Sequence, residues 1–284
     1  MLPKMGLLYY EDYTPDFYVC YRVKDVIYTG RSQYQNIEVI DTDTFGKILF
    51  LDNAVMVTER DEFYYHEMIV HPAMVSHPNP KRVLVVGGGD GGTVREVMKY
   101  DVVEEVVLAE LDEEVVKVSK EYLPSISCAL DDPRLKIEYG DASQFVKKHT
   151  DKFDVIIVDS TDPIGPGEIL SGEEFIRDCF NLLNAPGIYV AQTQSYFFGK
   201  EFLRKYRQRM MNVFGNVYNY FTPVPTYPGG GWSFTMGTKG VDPTKSVRPA
   251  PSGLKYYVSQ MQANLFIVPP LFTGIARGEE KWNA

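Results

Sequence analysis

Four acidic side chains stand where apolar runs end. Asp90 follows Val83–Val86, Glu110 closes Val106–Ala109, Asp141 follows Leu135–Tyr139, and Asp159 closes a run that begins at Asp154. A fifth, Asp162, comes three residues after Asp159 in the segment Asp159-Ser160-Thr161-Asp162-Pro163-Ile164-Gly165-Pro166-Gly167. Paired carboxylates of this kind serve as metal ligands, as acid and base, or as an anionic clamp for a cation. Any one acid alone reads as a helix cap or turn former. Four at successive strand ends are harder to explain that way, because open α/β sheets gather ligands beyond the carboxyl ends of their strands.

The loop around Asp90 is a run of five glycines and that one aspartate, residues 87–92. Gly87, Gly89 and Gly91 fit the GxGxG spacing of adenosylmethionine sites, and Gly87, Gly89 and Gly92 fit the GxGxxG dinucleotide spacing. The glycines therefore identify a nucleoside cradle without choosing its occupant. Asp90 disfavours a pyrophosphate or an amino-acid carboxylate and favours an ammonium group. Glu110 lies 23 residues after Gly87, near the spacing at which an acid takes ribose hydroxyls. Gly140-Asp141-Ala142 reads as a turn in which a carboxylate meets an adenine amino group and a small residue admits the ring, or as the N-cap of the next helix.

Other candidates divide between site and scaffold. Tyr64-Tyr65-His66-Glu67 could face the same cleft, although a lone histidine is more often structural. His66 and His71 are five apart, about 140° around a helix, so they do not form a zinc motif. Pro223–Trp232 is a rigid aromatic and glycine-rich loop that fits either a narrow alkyl pocket or an irregular connection. Arg204–Arg209 reads as a solvated helix face with Phe202, Leu203, Tyr206 and Met210 turned inward.

These residues need a scaffold, and the chain shows two regimes. Up to about residue 60, short alternating bursts (Phe17–Val23, Ile37–Ile40, Lys47–Leu51, Val55–Thr58) are separated by turns expected at Thr29-Gly30, Phe45-Gly46 and Asp52-Asn53. They predict a small antiparallel sheet of hairpins. A helix over Asp61–Val75 then leads to the breaker His77-Pro78-Asn79-Pro80. Strands follow at Arg82–Val86, Val106–Glu110, Leu135–Tyr139, Asp154–Asp159 and Gly187–Gln192, with Val217–Pro223 and Trp232–Thr238 closing the sheet. Helices between them, at Thr93–Tyr100, Glu113–Leu123, Ala142–Lys148, Glu173–Leu183 and Lys200–Val213, make this an α/β chain with a mostly parallel sheet. The expected domains are residues 1–60 and 61–284.

Bulk properties narrow the partners. A net charge of −9 argues against nucleic acid and mildly favours a cationic ligand. Three scattered cysteines without CxxC spacing point to a reduced, cytoplasmic setting and no structural zinc. A secretory signal and a membrane span are not expected.

Several motifs in order resemble the polyamine aminopropyltransferases, the spermidine synthase family. They are Ser32-Gln33-Tyr34-Gln35, Phe45–Asp52, Glu59-Arg60-Asp61-Glu62-Phe63, the glycine loop, Asp159–Pro166 and Pro225-Thr226-Tyr227-Pro228. The resemblance implies an N-terminal β-domain before a methyltransferase-like Rossmann domain. It also implies transfer of an aminopropyl group from decarboxylated S-adenosylmethionine, a co-substrate, to a diamine such as putrescine, with no metal or cofactor. Gln35, Glu110, Asp141, Ala142 and Pro166, with Gly87 and Gly89, would hold the donor nucleoside. His66, Asp90 and Asp159–Asp162 would hold the amines, with Tyr65, Gln192 and Tyr227 as neighbours, and Asp159 would accept the proton. Such enzymes usually form homodimers or homotetramers through their N-terminal strands. A methyltransferase, a nicotinamide dehydrogenase and a non-catalytic polyamine sensor remain the competing readings; Asp90 opposes the first two.

Overall fold

The computed structural model describes residues 6–161 and 166–277. Asp162 lies outside the described residues, as does the side chain of Pro166. Six strands come first: β1 (Leu8–Thr14), β2 (Phe17–Arg22), β3 (Asp25–Arg31), β4 (Asn36–Thr42), β5 (Gly46–Leu51) and β6 (Ala54–Thr58). β1 and β2 form a separate two-stranded hairpin, while β3 to β6 make an antiparallel meander. The turn expected at Thr29-Gly30 is not there. Both residues lie within β3, where Gly30 pairs with Ile37 of β4. Glycine is tolerated because β3 is an edge strand and the Tyr28 ring folds over the place where a Cβ would be. The turn at Asp52-Asn53 does form. Both residues have positive φ, which is what a tight two-residue hairpin between Leu51 and Ala54 demands.

Helix α1 (Phe63–Ser76) leads into a seven-stranded sheet built from β7 (Arg82–Gly87), β8 (Glu105–Glu110), β9 (Leu135–Tyr139), β10 (Phe153–Asp159), β11 (Leu183–Ser195), β12 (Val217–Pro223) and β13 (Gly231–Lys239). Their order is β12-β13-β11-β10-β7-β8-β9. β11, β10, β7, β8 and β9 run parallel, and β12 and β13 close one edge antiparallel. Between the strands lie α2 (Gly92–Met98), α3 (Glu113–Tyr122), α4 (Pro124–Ser127), α5 (Ala142–Lys148), α6 (Pro166–Ile169), α7 (Glu173–Leu182) and α8 (Lys200–Phe214), with α9 (Pro270–Arg277) near the end. This is a Rossmann-like α/β fold preceded by a small β-sheet unit.

Both sheet faces are covered, so the strands read as unbroken apolar runs. Successive residues of β7 alternate between them: Val83 and Val85 pack toward α1 and α2, Leu84 and Val86 toward α5, α7 and α8. Leu203, Tyr206 and Met210 of α8 are buried, with Phe202 packed at the margin. Among the described residues no helix is long and apolar enough to cross a membrane.

Candidate active site

Four adjacent parallel strands, β10-β7-β8-β9, deliver Asp159, Asp90, Glu110 and Asp141 to the same carboxyl edge. Three of the four sense one another. Asp90 raises the pKa of both Asp159 and Glu110 through its charge. Asp141 is exposed and accepts a hydrogen bond from Ser143 N at 2.8 Å, which makes it the N-cap of α5. One of its oxygens is thus committed to the helix. Beside it Ala142 is 7 % exposed and packs into the core.

The glycine loop is a socket for these side chains. A Cβ on Gly87 would overlap the backbone carbonyl of Asp159, and one on Gly88 would lie 2.7 Å from Asp159 Oδ2. On Gly89 it would press Glu110 Oε2 at 3.0 Å, and on Gly92 it would come within 2.5 Å of His66 Nε2. Gly87, Gly88 and Gly91 also have positive φ, which glycine adopts without penalty. The absent side chains at Gly88, Gly89 and Gly92 therefore leave room for Asp159, Glu110 and His66.

Asp159 is clasped from both sides. Tyr65 Oη donates to Oδ1 and Thr93 Oγ1 donates to Oδ2, each at 2.6 Å. Burial and the charge of Asp90 raise its pKa, and the opposing pull of His66, Thr93 and Tyr65 does not cancel them. Asp90 moves the other way. Burial would raise it too, but the His66 imidazolium, the Gly92 N–H at 2.6 Å and Arg95 hold it below the usual carboxylate range. His66 lies on α1 with Nε2 3.5 Å from Asp90 Oδ1 and Nδ1 2.7 Å from Glu62 Oε2. Burial lowers its pKa, yet Asp90 and Glu62 outweigh burial and push it up to about 10. Two neighbouring acids with opposite displacements are the pattern of a divided acid–base pair.

A second cluster is built from β8 and the loop before β4. Glu110 is 8 % exposed, and burial pushes its pKa up to about 7. Its Oε1 accepts the Asp112 N–H at 2.9 Å. Asp112 in turn accepts from Ser32 Oγ at 2.6 Å and Gln35 Nε2 at 2.9 Å, tying the N-terminal sheet to the main domain. Next to this link opens a cavity of about 440 Å³ lined by Ser32, Tyr34, Leu111, Asp112, Tyr139 and Gly140. That volume falls in the range of small-molecule sites.

The opposite rim is aromatic. Tyr65 lies 5.8 Å from the Tyr227 ring, and Tyr227 meets Trp232 edge-on at 4.6 Å. The Tyr227 hydroxyl donates to Met56 O at 2.6 Å, so it anchors the loop to β6. Thr226 is pinned by Asp61 through its N–H and hydroxyl, and its carbonyl accepts from Tyr21 Oη. Gln192 donates to Ser160 O at 2.8 Å and accepts from Trp232 Nε1 at 3.1 Å, bracing the chain just after Asp159.

Four participants escape a reading of the sequence by strand ends: Thr93, Asp112, Glu62 and Arg95. Glu62 was legible in one respect, since it precedes His66 by four residues on a helix, the spacing at which side chains meet. Thr93, Asp112 and Arg95 act across separate elements and carry no local signal of that role. In the described part of the chain, His71 contacts Glu96 and Tyr100 instead of joining His66.

Similarity to known proteins extends over most of the chain. Residues 62–246 match the spermine/spermidine synthase domain, and residues 7–59 match the spermidine synthase tetramerisation domain. A polyamine aminopropyltransferase of Moorella thermoacetica is 42 % identical over 267 residues, covering 93 % of this chain and 94 % of its own. One from Caldicellulosiruptor bescii is 43 % identical over 270 residues, covering 94 % and 97 %. A crystal structure of a spermidine synthase in complex with the transition-state analogue AdoDATO superposes with a TM-score of 0.93 at 39 % identity, covering 97 % of this chain and 96 % of that one. The spermidine synthase of Thermotoga maritima gives 0.90 at 37 % identity, covering 98 % and 96 %. The chain belongs to the spermine/spermidine synthase family of polyamine aminopropyltransferases.

Proposed function

We propose that this chain transfers the aminopropyl group of decarboxylated S-adenosylmethionine to putrescine or a related diamine, giving spermidine and methylthioadenosine. The observation that carries the reading is the meeting of Asp90 and Asp159 on one rim, Asp159 held by Tyr65 and Thr93 and Asp90 faced by His66. The electrophile is a sulfonium carbon whose leaving group is a neutral thioether, so the displacement calls for no metal or resident cofactor. The difficulty lies with the nucleophile. A primary alkyl amine has a pKa of about 10.4 and arrives protonated. Asp159 attracts that ammonium, orients it and accepts its proton as the amine attacks. An ordinary aspartate, with a pKa of about 3.9, is a weak base for this task. Burial and Asp90 make Asp159 a stronger one. Tyr65 and Thr93 occupy one acceptor site on each of its oxygens. A carboxylate has about four such sites, so capacity for an ammonium is left.

Asp90, low in pKa, supports the role of a fixed anion for the donor's aminopropyl ammonium. The undecarboxylated donor would bring a carboxylate against it, a like-charge contact that costs several kcal/mol. Glu110 takes the ribose hydroxyls, and Gln35, Asp141, Ala142 and Pro166, with Gly87 and Gly89, complete the nucleoside site. His66, Tyr65, Gln192, Tyr227 and Asp162 complete the amine site. We read residues 1–60 as the oligomerisation unit and rim, residues 61–284 as the catalytic domain, and the assembly as a cytoplasmic homodimer or homotetramer.

A mass-spectrometric end-point assay tests the reading. Purified protein receives decarboxylated S-adenosylmethionine and an equimolar mixture of putrescine, cadaverine, agmatine and longer polyamines. Methylthioadenosine with one dominant aminopropylated amine is the expected result. Bound donor without any product would withdraw the role given to Asp159 and favour a sensor.

A further inference from the structure

The motif Glu59-Arg60-Asp61-Glu62-Phe63 carries a buried acid, Glu62, that the reaction above does not use. Glu62 is 5 % exposed and lies directly behind His66. Its Oε2 meets His66 Nδ1 at 2.7 Å and Arg95 Nη2 at 2.6 Å. Arg95 is itself anchored by Glu96 Oε1 at 2.9 Å and by the Ser125 carbonyl, and Glu96 is held by Lys99 Nζ at 2.6 Å. Charges thus alternate in sign from Asp90 through His66, Glu62, Arg95 and Glu96 to Lys99, which is partly exposed.

The two ring nitrogens of His66 both point at carboxylates. A neutral imidazole has one donor and one acceptor, so one of those carboxylates would face a lone pair. Only the imidazolium satisfies both. The remaining groups around the ring are Tyr65 edge-on from the same helix, Asp159 acting through its charge from β10, and Gly92, whose missing side chain leaves the ring its place. We propose that Glu62, clamped by Arg95, is a positioning residue that fixes the aim and positive charge of His66 and thereby keeps a cation against Asp90. A cation beside Asp90 favours its ionised form, while Asp159 has only neutral donors, Tyr65 and Thr93, on its oxygens. The proposal rests on the reading of Asp90 as amine anchor and Asp159 as proton acceptor.

The test is a histidine NMR titration of the full-length ¹⁵N-labelled protein over roughly pH 6–10, combined with pH profiles of kcat/KM. The chain has four histidines, and loss of one signal in His66→Gln assigns that residue. The wild-type His66 midpoint is expected above about pH 9, and Glu62→Gln is expected to lower it by about two units, as loss of a charged partner does. In the same variant His66 gives up its proton, and Asp90 its counter-charge, about two pH units earlier, so the alkaline fall of kcat/KM moves to lower pH, while methylthioadenosine affinity is unchanged. Glu62→Asp, which keeps the charge, restores both towards wild type. An unmoved His66 midpoint in Glu62→Gln overturns the proposal, whatever happens to activity. Should that variant fail to fold, the wild-type titration still decides, because a midpoint near the ordinary 6.5 overturns it equally. A shifted His66 together with normal turnover in Asp159→Asn would leave the charge link standing and sink the catalytic reading instead.

Discussion

Replacing Gly92 by alanine sets local backbone preference against the site. Gly92 opens α2 without a positive φ, so a Cβ there carries no backbone strain. At such a position Gly→Ala ordinarily stabilises a protein by about 0.4–1 kcal/mol. Here the new methyl would stand 2.1 Å from His66 Cε1, whereas ordinary contact begins at 3.4 Å, so the ring must retreat by more than about 1 Å. A retreat of that size stretches the 2.7 Å bond to Glu62 past hydrogen-bonding range or turns Nε2 from Asp90. Misplacement of a site group by about 1 Å costs on the order of 10²-fold in rate, or about 2.7 kcal/mol. The clean measurement is a double-mutant cycle with His66→Ala, reading kcat/KM from methylthioadenosine release and stability from thermal unfolding. In the wild-type background Gly92→Ala lowers both. In the His66→Ala background the clash is gone, so the same change leaves kcat/KM alone and raises Tm. Equal penalties in both backgrounds would refute the view that Gly92 exists to admit His66.

Asp159→Asn should lower kcat by about 10²–10⁴-fold, the usual worth of a positioned base, with methylthioadenosine affinity intact; near-normal turnover is fatal to the assignment. Asp90→Asn should weaken the decarboxylated donor more than methylthioadenosine, which lacks the amine, and equal weakening measured by calorimetry would remove Asp90 from that role. Glu110 carries a proton more readily in the folded chain, about 7 against an ordinary 4.5. The folded state therefore holds the extra proton between those values, and stability falls as pH rises through that window, by up to about 3 kcal/mol. Glu110→Gln should flatten this loss in denaturant titrations and abolish nucleoside binding, while an unchanged pH slope would show that burial is not what raises Glu110. Ribose hydroxyls stabilise the ionised carboxylate, so methylthioadenosine affinity should rise as pH passes from about 6 to 8; a flat profile would contradict the hydroxyl contact.

The acids at strand ends were legible because a parallel sheet forces them to be. Apolar runs buried on both faces announce the strands, and parallel pairing sends every carboxyl end to one edge, so Asp90, Glu110 and Asp159 meet without any long-range information. Helix boundaries such as Ala142–Lys148 followed from local capping and periodicity. The missed strands, β1 and β3, bury almost none of their side chains, and Gly30 within β3 imitates a turn although it is paired with Ile37. Local sequence determined which groups reach the rim. Tertiary structure alone decided the surroundings of each acid. Asp90 and Asp159 are the same residue type at neighbouring strand ends, and their difference comes from His66, Glu62 and Arg95, on two other helical segments. Proton affinity depends on burial and on charges within a few ångströms, and those distances exist only once the chain has folded.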